Sequence, residues 1–458
     1  MRNDVFENYP IPKAVCSLAL PTMAGMLVVV IYNLADTFFV GRLNDANQIA
    51  AVSITMPIFL LLMALGSIFG IGGGTYISRL LGSKQIDKAK HASAFSFYVC
   101  LGLGIICTII GLIFMPQILN MSGTSINTYE YAKSYLTIIA IGSPVIILGF
   151  SLGQIIRSEG GAKEALVGMM LGTVINIILD PVLILWAGMG VSGAAIATVF
   201  ANVVSVGYYC YYFIKKNSLL SIAVKHFSVN NEMVKEILSI GIPASLSSIL
   251  MSASNIILNN FAAGYSDNVI AALGVVGRVT MLPAMLLIGL GQGIQPLVGY
   301  NYAAKNFKRM KDVLKFTAIV GTIIGVMFTL LFFFTGGGAI KLFINDPKVV
   351  DLGTGFIKTI ILSIPFLGVQ FVLANSFLAM GKGKQSLILS ISRQGLLYIP
   401  ILVISNYLIG LPGIVFAQPI ADIATTVLAV LLFARTLKKL EIKDNNELDN
   451  ANYGLESE

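Results

Sequence analysis

The hydrophobic and polar positions of this chain are distributed on the scale of whole segments. Long apolar runs are separated by short polar connections. A helix needs about 20 mostly apolar residues to cross a bilayer, and outer-membrane barrels contain no such long unbroken runs. The pattern predicts an all-α polytopic membrane protein with twelve transmembrane helices, at residues 14–40, 47–77, 92–115, 134–156, 165–187, 191–214, 237–263, 269–300, 316–335, 356–378, 385–408 and 411–434.

The chain also repeats itself at a separation of about 220 residues. Leu20-Pro21 is echoed by Ile242-Pro243, and Gly70-Ile71-Gly72 by Gly291-Gln292-Gly293. Six spans, an even number, separate the copies, so both halves have the same orientation. Transporters that are built from repeats place their substrate between the repeats. We predict two pseudo-symmetric six-helix lobes around a cavity, with an N-lobe at 1–217, a cytoplasmic interfacial linker at 218–235, a C-lobe at 236–443 and a disordered acidic tail at 444–458.

The composition supports a membrane protein. Of the 458 residues, 56% are hydrophobic and only 11% are charged, whereas about a quarter are charged in soluble domains. The net charge of +8 comes from basic residues crowded at the termini and after even-numbered spans. This is the positive-inside pattern, which predicts cytoplasmic termini and gives no reason to expect a nucleic-acid partner. Residues 1–13 are polar and no small-residue cleavage site follows, so we expect no cleavable signal peptide.

The chain offers few groups for metal or redox chemistry. Its cysteines lie in or beside apolar runs without C-x-x-C spacing, so we expect small buried hydrophobes at Cys16, Cys100, Cys107 and Cys210. His91 and His226 lie in basic connections, and we predict neither a metal cluster nor a cofactor. The glycine runs at 70–74 and 336–338 lack the Lys-Ser/Thr of a phosphate loop, and close helix packing or a hinge is expected there.

One stretch stands out from the apolar background. Asp180 is the only charged residue between Glu164 and Lys215. An ionisable group inside a membrane span is costly, so we interpret Asp180 as a functional site facing protein or trapped water, the alternative being a buried acid satisfied by a neighbouring helix. Asn176 lies one turn earlier on the same helix face, and Pro181 removes a backbone donor beside it.

A second carboxyl, Asp36, lies near the end of the first span with Tyr32 one turn before it. Two buried acids that face each other favour a shared proton, and when ionised they attract a cation. Thr198 in span 6 offers a hydroxyl that could join them. The second half has no acid matching either Asp36 or Asp180, so the coupling site is predicted in the first half alone.

A third intramembrane acid, Asp422, has a different interpretation. Its counterpart in the first half is the neutral Asn202. The two basic residues closest to apolar segments of the second half are Arg278 and Arg393, and Asp422 could pair with either. We therefore expect a structural ion pair.

The residues around these acids resemble a known transporter family. The six-span repeat and the run 32–41 (YNLADTFFVG) are similar to the multidrug and toxic compound extrusion (MATE) family. The run 154–160 (QIIRSEG) and the pattern Asn176-x-x-x-Asp180-Pro181 strengthen the match. The resemblance covers essentially the whole chain except the acidic tail, and it is closest to the bacterial MepA/DinF-like branch of that family.

This resemblance implies particular roles. In the family, first-half carboxylates of spans 1 and 5 bind the coupling proton or sodium ion, helped by an Asn in span 5 and a Thr in span 6. The residues that match by motif and spacing are Asp36, Asp180, Asn176 and Thr198, with supporting tyrosines at Tyr32 and Tyr135. The NorM-like branch also has acids in the second-half cavity, and no counterparts lie at matching positions here. We therefore favour H⁺ over Na⁺, with both ions left open.

The combined prediction is a secondary active exporter and not an enzyme. It would act as a monomer in the bacterial plasma membrane, moving amphipathic and often cationic compounds outward in exchange for H⁺ or Na⁺. Candidate cavity residues are Asn33, Asn255 and Gln292. A lipid-linked oligosaccharide flippase would have a cavity richer in arginine, and a dedicated metabolite transporter shares the fold. A channel would need no coupling acids, and an intramembrane enzyme would need a catalytic His, Ser or metal cluster.

Overall fold

The computed structural model describes residues 2–43, 45–215 and 218–455. Within these ranges twelve helices are long and apolar enough to cross a membrane, and we number them as spans 1 to 12: Ile11–Gly41, Asn47–Gly82, Ile86–Ile113, Tyr129–Ser158, Ala162–Trp186, Gly190–Lys215, Asn231–Ala263, Asp267–Ala303, Phe307–Lys341, Pro347–Ala379, Gly383–Ile409 and Leu411–Leu440. The prediction of an all-α protein with twelve spans is confirmed.

Short helices and local distortions complete the description. Separate short helices are Arg2–Glu7, Met115–Met121 and the 3₁₀ turn Val224–His226. Span 10 contains a 3₁₀ turn at Ile361–Ser363, and spans 5 and 11 contain π-helical segments at Pro181–Trp186 and Ser392–Leu396. Side chains cap several helix starts, as where Asp45 accepts the backbone N–H of Asn47 at 2.9 Å.

The internal repeat is visible in the turns as well as in the spans. Lys84 after span 2 has a φ of 60°, and Lys305 after span 8 has a φ of 56°. Both lie in the left-handed region that side chains rarely adopt, so each turn ends its helix in the same way. The equivalent backbone geometry about 220 residues apart agrees with two similarly oriented halves.

The two lobes meet through spans 2 and 7 and through spans 1 and 8. A Cβ added at Gly72 would lie 2.2 Å from the carbonyl oxygen of Ile237, and one added at Gly241 would lie 2.0 Å from that of Ile68. Only glycine allows backbones to approach so closely. The predicted packing role of the glycine run at 70–74 is therefore confirmed.

The contacts between spans 1 and 8 lie at the same level. Gly293 packs against Ala19, and Gly289 packs against Met23. Residues 19–23 belong to the first half of span 1, next to the amino terminus. The lobes are thus in close contact on the side of the membrane that carries both chain termini, which we call the terminus side.

The linker between the lobes is packed against span 3. Ser93 donates its hydroxyl to the carbonyl of Ser221 at 2.7 Å, and Tyr98 donates to that of Ile222 at 3.0 Å. Val224 and Val229 are exposed. Span 7 begins at residue 231, within the predicted linker 218–235, whereas residues 216 and 217 lie outside the described residues.

The last helix and the cysteines bear on two sequence predictions. The final helix is assigned as Leu411–Leu455 and residues 456–458 lie outside the described residues, while the disorder expected of the tail 444–458 stays a prediction. Of the four cysteines expected to be buried, Cys100 is buried, Cys107 and Cys210 are partly buried, and Cys16 is exposed.

Candidate ion-coupling site

The centre of the candidate site lies where span 5 changes its helical geometry. The α-helix Ala162–Asp180 ends at the predicted carboxyl, and Pro181 begins a π-helical segment. Proline lacks the N–H that would continue the ladder, and π segments inside α-helices are frequent at functional sites. Asn176 and Asp180 are both fully buried, with exposed fractions of 0%. The amide of Asn176 lies 3.5 Å from Asp180 Oδ1, which makes this a long and weak hydrogen bond.

Two oxygen atoms at this point are not satisfied by the protein. Asp180 Oδ2 and Asn176 Oδ1 are buried, and no described protein group donates a hydrogen bond to either. A buried acceptor without a donor costs roughly 1–3 kcal/mol, and more if it is charged. Both atoms are acceptors, so each would be satisfied by a proton on the carboxyl, by a cation or by another hydrogen-bond donor.

Span 6 supplies the predicted hydroxyl beside these acids. Thr198 is buried, and its Oγ1 lies 3.4 Å from the hydroxyl of Tyr32 in span 1. The amide of Asn202 donates to the backbone carbonyl of Thr198 at 2.9 Å. The first contact joins spans 1 and 6, and the second lies within span 6.

The second acid completes the group. Asp36 is partly exposed, whereas Asp180 is enclosed. The two carboxyls are close enough for their charges to interact, and the hydroxyls of Tyr32 and Tyr135 lie within the field of both. The structure therefore brings the acids and both tyrosines into one region of the first lobe, with Asp36 on its more open side.

Small residues allow the spans around the site to pack closely. A Cβ at Gly172 would lie 2.1 Å from Ser205 Oγ and 2.8 Å from the carbonyl oxygen of Ala201. A Cβ at Gly25 would lie 2.5 Å from the terminal methyl carbon of Met169. Glycine thus draws span 5 against both span 6 and span 1, which places the polar side chains of three helices together.

The three predicted cavity residues have different environments. Asn33 donates its amide to the carbonyl of Val29 at 2.8 Å within span 1. Asn255 is exposed in span 7. The Oε1 atom of Gln292 in span 8 is buried and receives no hydrogen bond from the described residues. Their contact with substrate stays a prediction.

Asp422 forms an ion pair with Arg393, one of the two arginines that the sequence offered. Its Oδ1 lies 2.8 Å from Nε of Arg393, and Arg278 is not the partner. Gln418 donates to the same oxygen at 2.9 Å, and Ser363 donates to Oδ2 at 3.2 Å. Both oxygens of this buried carboxylate are therefore satisfied, in contrast to Asp180.

The sequence interpretation missed one buried acid. Glu159 has an exposed fraction of 0% and lies directly after span 4. It accepts hydrogen bonds from Tyr212 and Ser218 at 2.7 Å and from the backbone N–H of Leu219 at 2.8 Å. The sequence signal that could have pointed to Glu159 is its position inside the run 154–160, because that run belongs to the family pattern. Glu159 fastens the start of the linker to the first lobe.

Comparison with known sequences identifies the family. The profile of the MatE family matches residues 21–182 and again residues 243–404. The chain belongs to the MatE family. The double match also reproduces the internal repeat, with one copy in each lobe, and the predicted family is confirmed.

Individual relatives agree with this assignment. The multidrug export protein MepA of Staphylococcus aureus strain MSSA476 is 37% identical over 443 residues, which cover 97% of this chain and 98% of the relative. A solved MATE in complex with MaL6 superposes with a TM-score of 0.91 at 26% identity, covering 96% of this chain and 99% of the other. An outward-facing multidrug resistance MATE family transporter gives a TM-score of 0.90 at 26% identity, covering 94% and 97%. The prediction of a transporter rather than an enzyme is confirmed by family membership.

Proposed function

We propose that this chain is a multidrug exporter that moves amphipathic, often cationic, compounds outward in exchange for protons. The relative MepA is a multidrug export protein and aligns over nearly the whole chain. We further propose that the chain acts as a monomer in a bacterial plasma membrane, since one chain contains both lobes. Basic residues crowd the connections on the terminus side, which supports cytoplasmic termini.

The observation that carries the coupling proposal is the unsatisfied pair of oxygens at Asp180 and Asn176. A proton on Asp180 would remove its charge and supply a donor to Asn176 Oδ1. The second lobe provides the comparison, because Asp422 is already neutralised by Arg393 and needs no ion. This difference supports proton binding at Asp180 in the first lobe and not at Asp422 in the second.

The cycle follows from the arrangement of the lobes. They are in contact on the terminus side, which supports a cavity that opens towards the opposite, external side. Asp36 is the more exposed acid and would receive the incoming proton, whereas Asp180 is enclosed and would hold it. Protonation changes the charge between spans 1, 5 and 6 and so favours one packing of these helices over another. Coupling requires only that proton and drug prefer different states of the transporter.

A sodium ion is the second candidate, because the same observation favours it. Oxygen atoms of Asp180, Asn176, Thr198 and Asp36 are the hard ligands that such cations prefer. Sodium would bind to the ionised acids as a substrate of the exchange and would satisfy the orphaned oxygens by its charge. Proton coupling is preferred because each acid can be neutralised without a complete coordination shell.

Reconstituted vesicles would test the proposal. Efflux of a fluorescent lipophilic cation should follow an imposed pH gradient at fixed membrane potential and should be indifferent to a sodium gradient. Transport that follows sodium and ignores pH would replace the proton by sodium. Absence of drug movement under either gradient, by protein that is folded in the membrane, would contradict export itself.

A further inference from the structure

A short helix at the amino terminus joins the two lobes. Helix Arg2–Glu7 precedes span 1 in the first lobe but docks onto the second lobe. Phe6 has an exposed fraction of only 1%, and its ring stacks on that of Tyr300 with centroids 4.8 Å apart and an interplanar angle of 14°. The hydroxyl of Tyr300 donates to Glu7. One aromatic pair and one charged hydrogen bond thus fasten this helix to span 8.

Arg309 at the start of span 9 holds the other end of the helix. Its Nε donates to the carbonyl of Phe6 at 2.7 Å, and its Nη2 donates to the carbonyl of Tyr9 at 2.6 Å. A longer bond of 3.4 Å reaches the carbonyl of Val5. The last carbonyls of a helix lack internal partners and carry partial negative charge, so a guanidinium satisfies several of them at once. Arginine suits this role because its donors form a rigid fork.

The connection between this helix and span 1 is short. Only residues 8–10 separate Glu7 from Ile11, and three extended residues reach at most about 11 Å. The helix is therefore bound to span 1 by the chain and to spans 8 and 9 by its contacts. Separation of the lobes on the terminus side would pull these two attachments apart.

A second contact between the lobes lies on the same side. Arg79 at the end of span 2 forms a 2.8 Å ion pair with Glu236 at the start of span 7. The side chain of Glu236 is 39% exposed, so this pair contributes little by itself. The amino-terminal helix buries an aromatic ring and satisfies several carbonyls, which makes it the stronger of the two contacts.

We propose that helix Arg2–Glu7, held by Tyr300 and Arg309, is a clasp that stabilises the state closed on the terminus side. The clasp must release from the second lobe before the cavity opens to that side. It sets the ratio of the two states without touching substrate or the coupling acids. This inference rests on the alternating movement of the lobes in the proposed function.

The test measures the distance between the lobes on the terminus side. Spin labels at Ser83 and Lys384, both exposed, would report it in full-length protein whose four native cysteines have been replaced. Phe6→Ala and Arg309→Ala should each raise the population with widely separated labels by at least about tenfold, the size expected when charged hydrogen bonds or a buried ring are lost. Arg309→Lys should give a smaller rise, since lysine lacks the fork.

Lys308→Ala is the matched control, because this adjacent basic residue is exposed and should leave the distances unchanged. Unchanged distances in both folded Phe6→Ala and Arg309→Ala proteins would overturn the clasp, even if their thermal stability fell. If Phe6→Ala does not fold, Phe6→Leu with Arg309→Lys decides the question in the same way. The distance measurement needs no drug, so failure of wild-type export would count against the proposed function, whereas the clasp stands or falls on the distances alone.

Discussion

Replacement of Asp180 by asparagine separates the role of this carboxyl in coupling from its role in folding. The two side chains have nearly the same shape, so the substitution opens no new space around position 180. Asparagine can still accept the 3.5 Å contact from Asn176 at its oxygen, and its NH₂ can donate to the unsatisfied Asn176 Oδ1. One net hydrogen bond is worth about 0.5–1.5 kcal/mol. Stability should therefore be unchanged or slightly increased by Asp180→Asn.

Transport should respond in the opposite way. Asparagine binds no proton at physiological pH, so one coupled proton per cycle is lost. A gradient of one pH unit supplies about 1.4 kcal/mol per proton, which corresponds to a tenfold accumulation ratio. We expect the variant to lose roughly that tenfold ratio of drug under such a gradient. Export assays in reconstituted vesicles and thermal unfolding in detergent would be measured on the same preparation.

A matched control is available at the membrane surface. Asp87 is exposed and forms only a surface ion pair with Lys90, so Asp87→Asn makes the same chemical change without a coupling consequence. Wild-type accumulation by Asp180→Asn at normal expression would refute the coupling argument. A large loss of stability would instead refute the account of the unsatisfied oxygens.

Three further variants test the other side chains. Asp422→Asn removes the counter-charge of the largely enclosed Arg393 guanidinium, so the free energy of unfolding should fall by up to about 3–5 kcal/mol while surviving protein still exports. A stable variant that cannot export would show a direct role of Asp422 in transport. Tyr32→Phe removes only the 3.4 Å contact to Thr198, so stability should change by less than about 1 kcal/mol and export should persist, as drug-efflux rates would show. Glu159→Gln places an amide against donor groups and should cost about 1–3 kcal/mol, with faster proteolysis within 218–229; unchanged protease resistance would argue against its fastening role.

The sequence by itself determined the architecture, because the bilayer imposes strong rules. Runs of apolar residues long enough to cross hydrocarbon define the twelve spans, and the structure contains the same twelve. The repeat predicted two similar lobes since each half carries its own copy of the same glycine and proline positions. Asp180 was identifiable as unusual for the same reason: a carboxyl surrounded by apolar residues has a high cost in a membrane.

Tertiary structure decided which polar groups have partners. Sequence left Asp422 with two candidate arginines, and only packing of spans 11 and 12 selected Arg393. Sequence also treated Glu159 as part of a connection, because its burial depends on linker residues about 60 positions away. Contacts between residues distant along the chain follow from helix packing, which local pattern does not specify.

The amino-terminal helix shows the same limit most clearly. By sequence, residues 2–7 form a polar leader to span 1, and nothing local indicates a partner almost 300 residues away. The ring of Phe6 is buried because it stacks on the ring of Tyr300 in span 8. The sequence determined how often the chain crosses the membrane and where a costly charge lies. Only the packed helices decided that Asp180 keeps an unsatisfied oxygen while Asp422 does not, since hydrogen-bond partners are fixed by three-dimensional proximity.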